Sequence, residues 1–281
     1  MSSKTLDQGE SKIKRFSRIF VLAFIILTIY PIIFVVITSL KSNAEFYTNI
    51  FLLPHKLEWA NYPKSWITAQ IGSYFFNSLL VVSTTVIATL VVGALAGYSL
   101  ARLNVPYANT IMFIILAGTM LPSESIIMPM YLITSKMNIT GTFSSLILPY
   151  IGWGLPMTIF IYRNFFRTLP NELIEAARID GCTEIQTFTK VTLPLILPAT
   201  ATNGILIFVG WWGELLWASI ELGSSSMKTI PMGIISFSAQ FGTDWGALSA
   251  AVCIILVPLI VFFLFTQKYF IEGLTAGGVK G

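Results

Sequence analysis

Between Arg163 and Lys190 the chain places four basic side chains (Arg163, Arg167, Arg178, Lys190) among four acidic ones (Glu172, Glu175, Asp180, Glu184). The chemistry open to such a balanced set is ion pairing and hydrogen bonding, in a solvated helix pair or at a protein interface; it does not suit a polybasic lipid anchor. Residues for catalysis or metal ligation are scarce elsewhere. His55 is the only histidine, and without a second histidine or a cysteine pair at ligand spacing no zinc or haem site is expected. Cys182 lies in the charged stretch and Cys253 in an apolar run, on different sides of a hydrocarbon boundary, so no disulfide is expected. The sequence has no H-E-x-x-H, no G-x-S-x-G, no paired intramembrane aspartates and no Walker A motif. These absences speak against an intramembrane enzyme and against ATP hydrolysis by this chain, which is expected to bind no cofactor or metal.

The charged cluster is embedded in a very apolar polypeptide. Of its 281 residues 55% are hydrophobic and 11% charged, and the mean hydropathy is +0.77, the composition of an all-α polytopic membrane protein. The net charge of +4 comes from basic residues scattered beside apolar spans, an orientation signal and not a nucleic-acid stripe. Six segments reach the length of about 20 residues that a bilayer core requires: 19–40, 74–100, 108–133, 143–163, 199–220 and 247–267. Pro122 and Pro129 are expected to interrupt the third, and Pro149 and Pro156 the fourth. The domain plan is an N-terminal segment 1–18, a membrane domain 19–267 containing a loop 164–198, and a tail 268–281.

The basic residues orient it. With the N-terminus inside, Lys4, Lys12, Lys14, Arg15, Arg18, Arg102, Arg163, Arg167, Arg178, Lys190, Lys268 and Lys280 are inside, against Lys41, Lys56, Lys64, Lys136 and Lys228 outside. Both termini and the charged cluster are therefore expected in the cytoplasm. Segments 41–73 and 221–246 are outside and long enough to meet a partner, with Gly223-Ser224-Ser225-Ser226 as a flexible turn in the second.

Within the cluster, Thr168 as a cap, Pro170 in the first turn, Glu172 at the positive end of the dipole and Gly181 as the stop predict a helix over 170–180. Leu173, Ala176 and Ala177 are predicted to share one face, whose alanines admit a close backbone, while Glu175, Arg178 and Asp180 ring the contact. A second stripe follows at Ile185, Phe188 and Val191, ended by Leu193-Pro194.

Glu175-Ala176-Ala177, three residues, Gly181, nine residues, then Val191-Thr192-Leu193-Pro194 resembles the EAA loop of binding-protein-dependent ABC importer permeases, with Val191 where the family has isoleucine. Phe75-Phe76-Asn77-Ser78-Leu79, Thr243-Asp244-Trp245-Gly246, Gln267-Lys268-Tyr269-Phe270 and Gly273-Leu274-Thr275-Ala276-Gly277 are similar to the carbohydrate branch, and in particular to the second maltose-type permease. The resemblance implies the six-helix fold of type I importer permeases and a bacterial cytoplasmic membrane. It also implies a second homologous permease, two ATP-binding subunits that use ATP and Mg, and an extracellular sugar-binding protein. The Glu175–Gly181 helix would enter a cleft on the ATPase, with Glu172, Leu193 and Pro194 part of the same element. The segment 221–246 would reach the binding protein, and the tail the ATPase pair.

No lysine or arginine is expected deep in a span, so a neutral solute fits better than an anion. Candidate pathway residues are Glu214, Trp211, Trp212, Asn203 and Glu124, with Trp217 able to stack on a sugar ring. An ABC permease for another small neutral solute, such as an amino acid, is the main alternative; a secondary transporter is not favoured, since the sequence has neither an intramembrane acid chain nor paired half-chain repeats.

Overall fold

The computed structural model describes the backbone of residues 3–223, 225–241 and 244–278, and side chains over 16–223, 225–235, 237 and 244–268. Lys4, Lys12, Lys14, Arg15, Ser224, Thr243, Lys280 and the C-terminal series from Tyr269 to Gly277 lie outside the described side chains.

All regular structure among the described residues is helical. Helix α1 (Ser3–Ser39) begins well before the expected start at 19 and runs through Pro31. Two short helices, α2 (Asn43–Thr48) and α3 (Asn61–Pro63), and a π turn at Lys64–Thr68 lead to α4 (Ile71–Arg102). The third span is not one helix. α5 (Ala108–Gly118) and α6 (Ser123–Lys136) meet at 94°, the break falling just before Pro122, which forces an extended approach and takes the N-cap place of α6. Pro129 sits inside α6 without breaking it.

α7 (Ser144–Thr168) is continuous through Pro149 and Pro156, contrary to the expected interruption. Pro149 cannot donate to the carbonyl of Ser145, and the indole Nε1 of Trp217 donates to that oxygen at 3.0 Å instead. Beyond α8 (Asn171–Ile179) and α9 (Glu184–Gln186), a π turn at Thr187–Thr192 leads into α10 (Leu193–Leu195) and α11 (Leu197–Trp212). Pro194 and Pro198 deny hydrogen bonds to the preceding turn, and the two halves meet at 77°. The fifth span therefore stops at Trp212, short of the expected 220. α12 (Leu216–Leu222), α13 (Ile230–Phe241) and α14 (Trp245–Gly278) complete the chain. Four helices are long and apolar enough to cross a membrane singly, and the two bent pairs bring the number to six.

The chain divides into two compact units. In the first, Met1–Ile71 with Ser236–Leu256, the Asp244-Trp245-Gly246 series has a physical account. The Asp244 carboxylate accepts the N–H of Ala247 at 3.2 Å, capping α14, and pairs with Lys64. Trp245 stacks on Phe46 at 5.2 Å, and a Cβ on Gly246 would stand 2.3 Å from the carbonyl oxygen of Lys41.

In the second, Gly72–Ile235 with Val257–Gly281, Asn77 donates to the carbonyl of Lys228 at 2.9 Å, and Ser78 accepts the N–H of Ile230 at 2.9 Å, fixing the start of α13. α4 and α7 cross at Gly93 and Gly97, four residues apart on one face, where the absent side chains admit the partner backbone. A Cβ on Gly97 would meet Tyr162 Cβ at 2.7 Å and the Arg163 nitrogen at 3.1 Å. Gly97→Leu is therefore expected to cost about 1–3 kcal/mol and to lower the thermal midpoint of the detergent-purified chain. Gly210→Ala, where a Cβ meets nothing within 4 Å, is expected to leave that midpoint unchanged or higher; equal midpoints for the two variants would show that the crossing does not depend on Gly97.

Candidate functional site

The charged cluster folds as a helix held out from the membrane-spanning helices on an aromatic base. α8 covers Asn171–Ile179, with Pro170 at the N-cap position in place of the first turn. Thr168 does not cap it: Thr168 belongs to α7, and its hydroxyl donates to Phe165 O at 2.8 Å. At the other end Gly181 adopts φ +82°, and the N–H groups of Gly181 and Cys182 reach the carbonyls of Arg178 (3.1 Å) and Ala177 (2.9 Å). This double closure needs a left-handed residue at Gly181. A Cβ there would meet no atom within 4 Å, so glycine is required by the backbone and not by space.

The expected face of Leu173, Ala176 and Ala177 is corrected. Ala177 is buried together with Ile174, whereas Ala176 and Leu173 are exposed. The inward residues lie against the chain's own base, so the surface open to a partner carries Glu172, Glu175, Ala176, Ile179 and Asp180. Ile179 is 85% exposed, and Ile185, of the second apolar stripe, is 75% exposed. Both isoleucines stand bare at the surface of the charged loop.

The base is rigid. Tyr98, Phe166 and Phe188 form a ring cluster with centroids 5.2, 5.3 and 6.1 Å apart, and Leu193 packs against it, while Pro194 stays exposed. Arg102 sends Nε to Phe166 O at 2.8 Å and Nη groups to Phe166 O, Leu169 O and Asn171 Oδ1, so one guanidinium closes the end of α7 and ties it to the start of α8. Arg178 pairs with Glu184 at 2.8 Å, and Tyr98 donates to the other oxygen of Glu184 at 3.2 Å. Sequence reading missed the bracing by Tyr98 and Arg102, because both lie in another span.

The pathway candidates are only partly brought together. Glu124, Trp211, Glu214 and Trp217 line a cavity of about 560 Å³, joined by Trp153 and Gly152. Trp153 was not expected, although its place between two glycines and two prolines is a sequence sign of an open helix face. Its ring lies 5.9 Å from Trp211 and 5.5 Å from Trp217, and Trp211 stacks on Tyr150 at 4.3 Å. Trp212 turns away from this cavity, buried and stacked on Phe208 at 5.2 Å. Asn203 is 1% exposed and borders a separate space of about 140 Å³ that shares Trp153 and Trp211. The Glu214 carboxylate accepts the Trp217 N–H at 2.7 Å, the Ala218 N–H at 3.1 Å and the Tyr150 hydroxyl, so it caps α12 at the cavity edge. Sequence reading also passed over Glu221, 1% exposed and bonded to Thr134. Among the described residues no group of histidine, cysteine and carboxylate side chains is arranged to hold a metal.

A helical membrane chain with an aromatic cavity among its spans and an outward helix on a braced loop has the anatomy of a transport subunit. It belongs to the family of binding-protein-dependent transport system inner membrane components, whose model matches residues 90–275, including both the loop and the cavity. It is 35% identical over 265 residues, 93% of each chain, to the sulfoquinovosyl glycerol transport system permease protein SmoH of Agrobacterium fabrum. It is 33% identical over 267 residues, 94% of each chain, to the arabinooligosaccharides transport system permease protein AraQ of Bacillus subtilis. A chain of a bacterial ABC transporter involved in the import of the acidic polysaccharide alginate shares its fold, with a TM-score of 0.79 over 93% of this chain and 98% of that one, at 21% identity.

Removing the Arg102 guanidinium leaves the carbonyls of Phe166 and Leu169 without their charged donor, at about 1.5–3 kcal/mol per such bond. Arg102→Ala is expected to speed amide exchange across residues 171–181 by tenfold or more, about 1.4 kcal/mol, with α14 unchanged. Unaltered exchange in α8 would show that the brace is not needed.

Proposed function

We propose that this chain is one of two permease subunits of an ABC importer for a sugar or oligosaccharide, and that α8 carries the force of ATP hydrolysis from separate ATP-binding subunits into the spans. The observation that carries this reading is the outward face of α8. Ala176 offers close approach, Ile179 and Ile185 offer apolar contact, and Glu172, Glu175 and Asp180 surround them, while every inward group is engaged by the chain itself. A helix braced through Arg102 to the end of α7 transmits displacement instead of absorbing it. The sugar reading is supported by the sugars for which the relatives are named and by the cavity, whose aromatic rings suit the C–H faces of a pyranose or furanose. Glu124 and Glu214 line it, and among the described residues no lysine or arginine does. Lys41 and Arg163, the buried cations among the described residues, are spent elsewhere: Lys41 on two carbonyls, Arg163 on Leu100 O and Asn109.

The topology belongs to the same proposal, with both termini and α8 cytoplasmic and an extracellular or periplasmic binding protein delivering the sugar. In a background lacking Cys182 and Cys253, single cysteines at Ser225 and Glu184 are expected to react with impermeant maleimide from opposite sides of an oriented membrane. Reaction from one side would overturn the arrangement.

Docking is tested at Ala176, whose exposure makes it a clean probe; Ala177→Trp would disturb the chain's own base and is uninformative about a partner. A central interface residue contributes about 2–4 kcal/mol, and about 1.4 kcal/mol is tenfold in affinity. In proteoliposomes with the co-expressed partners and sugar-loaded binding protein, Ala176→Trp and Ile179→Asp are expected to insert normally and to lose at least tenfold in uptake, with loss of sugar-stimulated ATP hydrolysis. Wild-type uptake and stimulation in both variants would contradict docking through α8.

A further inference from the structure

In the first compact unit the chain leaves α1 at Ser39, forms α2, and then runs through Ile50-Phe51-Leu52-Leu53 before Pro54. Phe51, Leu52 and Leu53 are 75%, 68% and 71% exposed, a bare apolar surface on a non-helical turn. Such a surface is unfavourable in water. Non-helical backbone is equally unfavourable in hydrocarbon unless its polar groups find internal partners.

Two observations decide between these. Phe51 folds back onto α1, its ring 6.1 Å from that of Phe34. Phe34 lies five residues before the helix end, about 7.5 Å along the axis at 1.5 Å per residue, and its neighbours Ile33 and Val36 are exposed. The most apolar window of this span buries none of its residues within the chain. The turn thus continues the exposed apolar surface of a membrane-spanning helix.

The second observation is that part of the turn's backbone is served from within the chain. Lys41, with no exposed surface, donates Nζ to Asn49 O at 2.7 Å and Ile50 O at 2.9 Å. The Asn49 side chain accepts the Leu52 N–H at 3.1 Å, and the Glu45 carboxylate accepts the His55 N–H at 2.7 Å. A fully buried lysine spent on two loop carbonyls is hard to explain for a loop in water, where solvent would serve them. Three residues after the apolar run, Lys56 is 83% exposed and lies 3.4 Å from Glu58.

We propose that Ile50–Leu53 is a membrane-dipping anchor, seated at the boundary between headgroups and acyl chains of the leaflet at the C-terminal end of α1. Its occupant is lipid, and Lys41 is the group that lets the turn enter it. The anchor fixes the height of α2 and of the Asp244–Gly246 platform at the membrane surface, independently of what the chain transports.

The test uses the full chain in phosphatidylcholine vesicles, with nitroxide labels placed singly on Leu52→Cys and Lys56→Cys in a background lacking Cys182 and Cys253, and power saturation measured with oxygen and with an aqueous nickel chelate. The expected result is that oxygen dominates the collisions at 52 and the nickel chelate those at 56, so the accessibility ratio inverts across four residues. Lys41→Met is expected to raise nickel access at 52. Nickel dominance at 52 in the wild-type background would overturn the anchor. So would low access to both reagents there, since it would mean that protein covers the turn.

Discussion

In a lipid solvent every backbone N–H and C=O must find its partner inside the protein, and the places where a helix stops or bends are where that demand is hardest to meet. Most of the informative side chains of this molecule are engaged there. Arg102 closes the carbonyl end of α7, Arg163 reaches Leu100 O near the end of α4, and Lys41 serves Asn49 and Ile50. Glu214 and Asp244 cap the N–H ends of α12 and α14, and Trp217 takes the carbonyl that Pro149 leaves unserved. A chain with few charges uses them as fasteners for backbone at its breaks.

The functional anatomy follows from that use. Arg102 and the Tyr98, Phe166 and Phe188 rings hold the base of the loop, while Glu172, Glu175, Ala176, Ile179 and Asp180 of α8 stand exposed. The same economy shapes the cavity. Glu214 contributes to its wall while its oxygens are committed to α12 and Tyr150, and the indoles of Trp153, Trp211 and Trp217 line the same space.

How much of this the sequence disclosed depends on the range of the interaction responsible. Hydropathy gave six apolar segments because burial in lipid is a property of a window of residues, and Gly181 was legible because a positive φ is a local demand. The break at Pro122 was legible too, whereas the continuity of α7 was not, since it depends on a distant residue: Trp217 serves the carbonyl that Pro149 leaves without a donor. Ala176 and Ala177 are likewise indistinguishable in sequence, and the packing of α8 on its base decided which one faces out. Trp153 and Trp212 exchanged roles for the same reason.

The central claim is that the outward face of α8 meets the ATP-binding subunit directly. A photoreactive benzophenone amino acid placed at Ile179, the most exposed apolar side chain of α8, in a complex that still imports sugar, tests it without relying on loss of function. The account predicts that irradiation joins this chain to the ATP-binding subunit from position 179 and not from Ser225. An import-competent complex that yields no such adduct from 179, or yields it equally from 225, would contradict it.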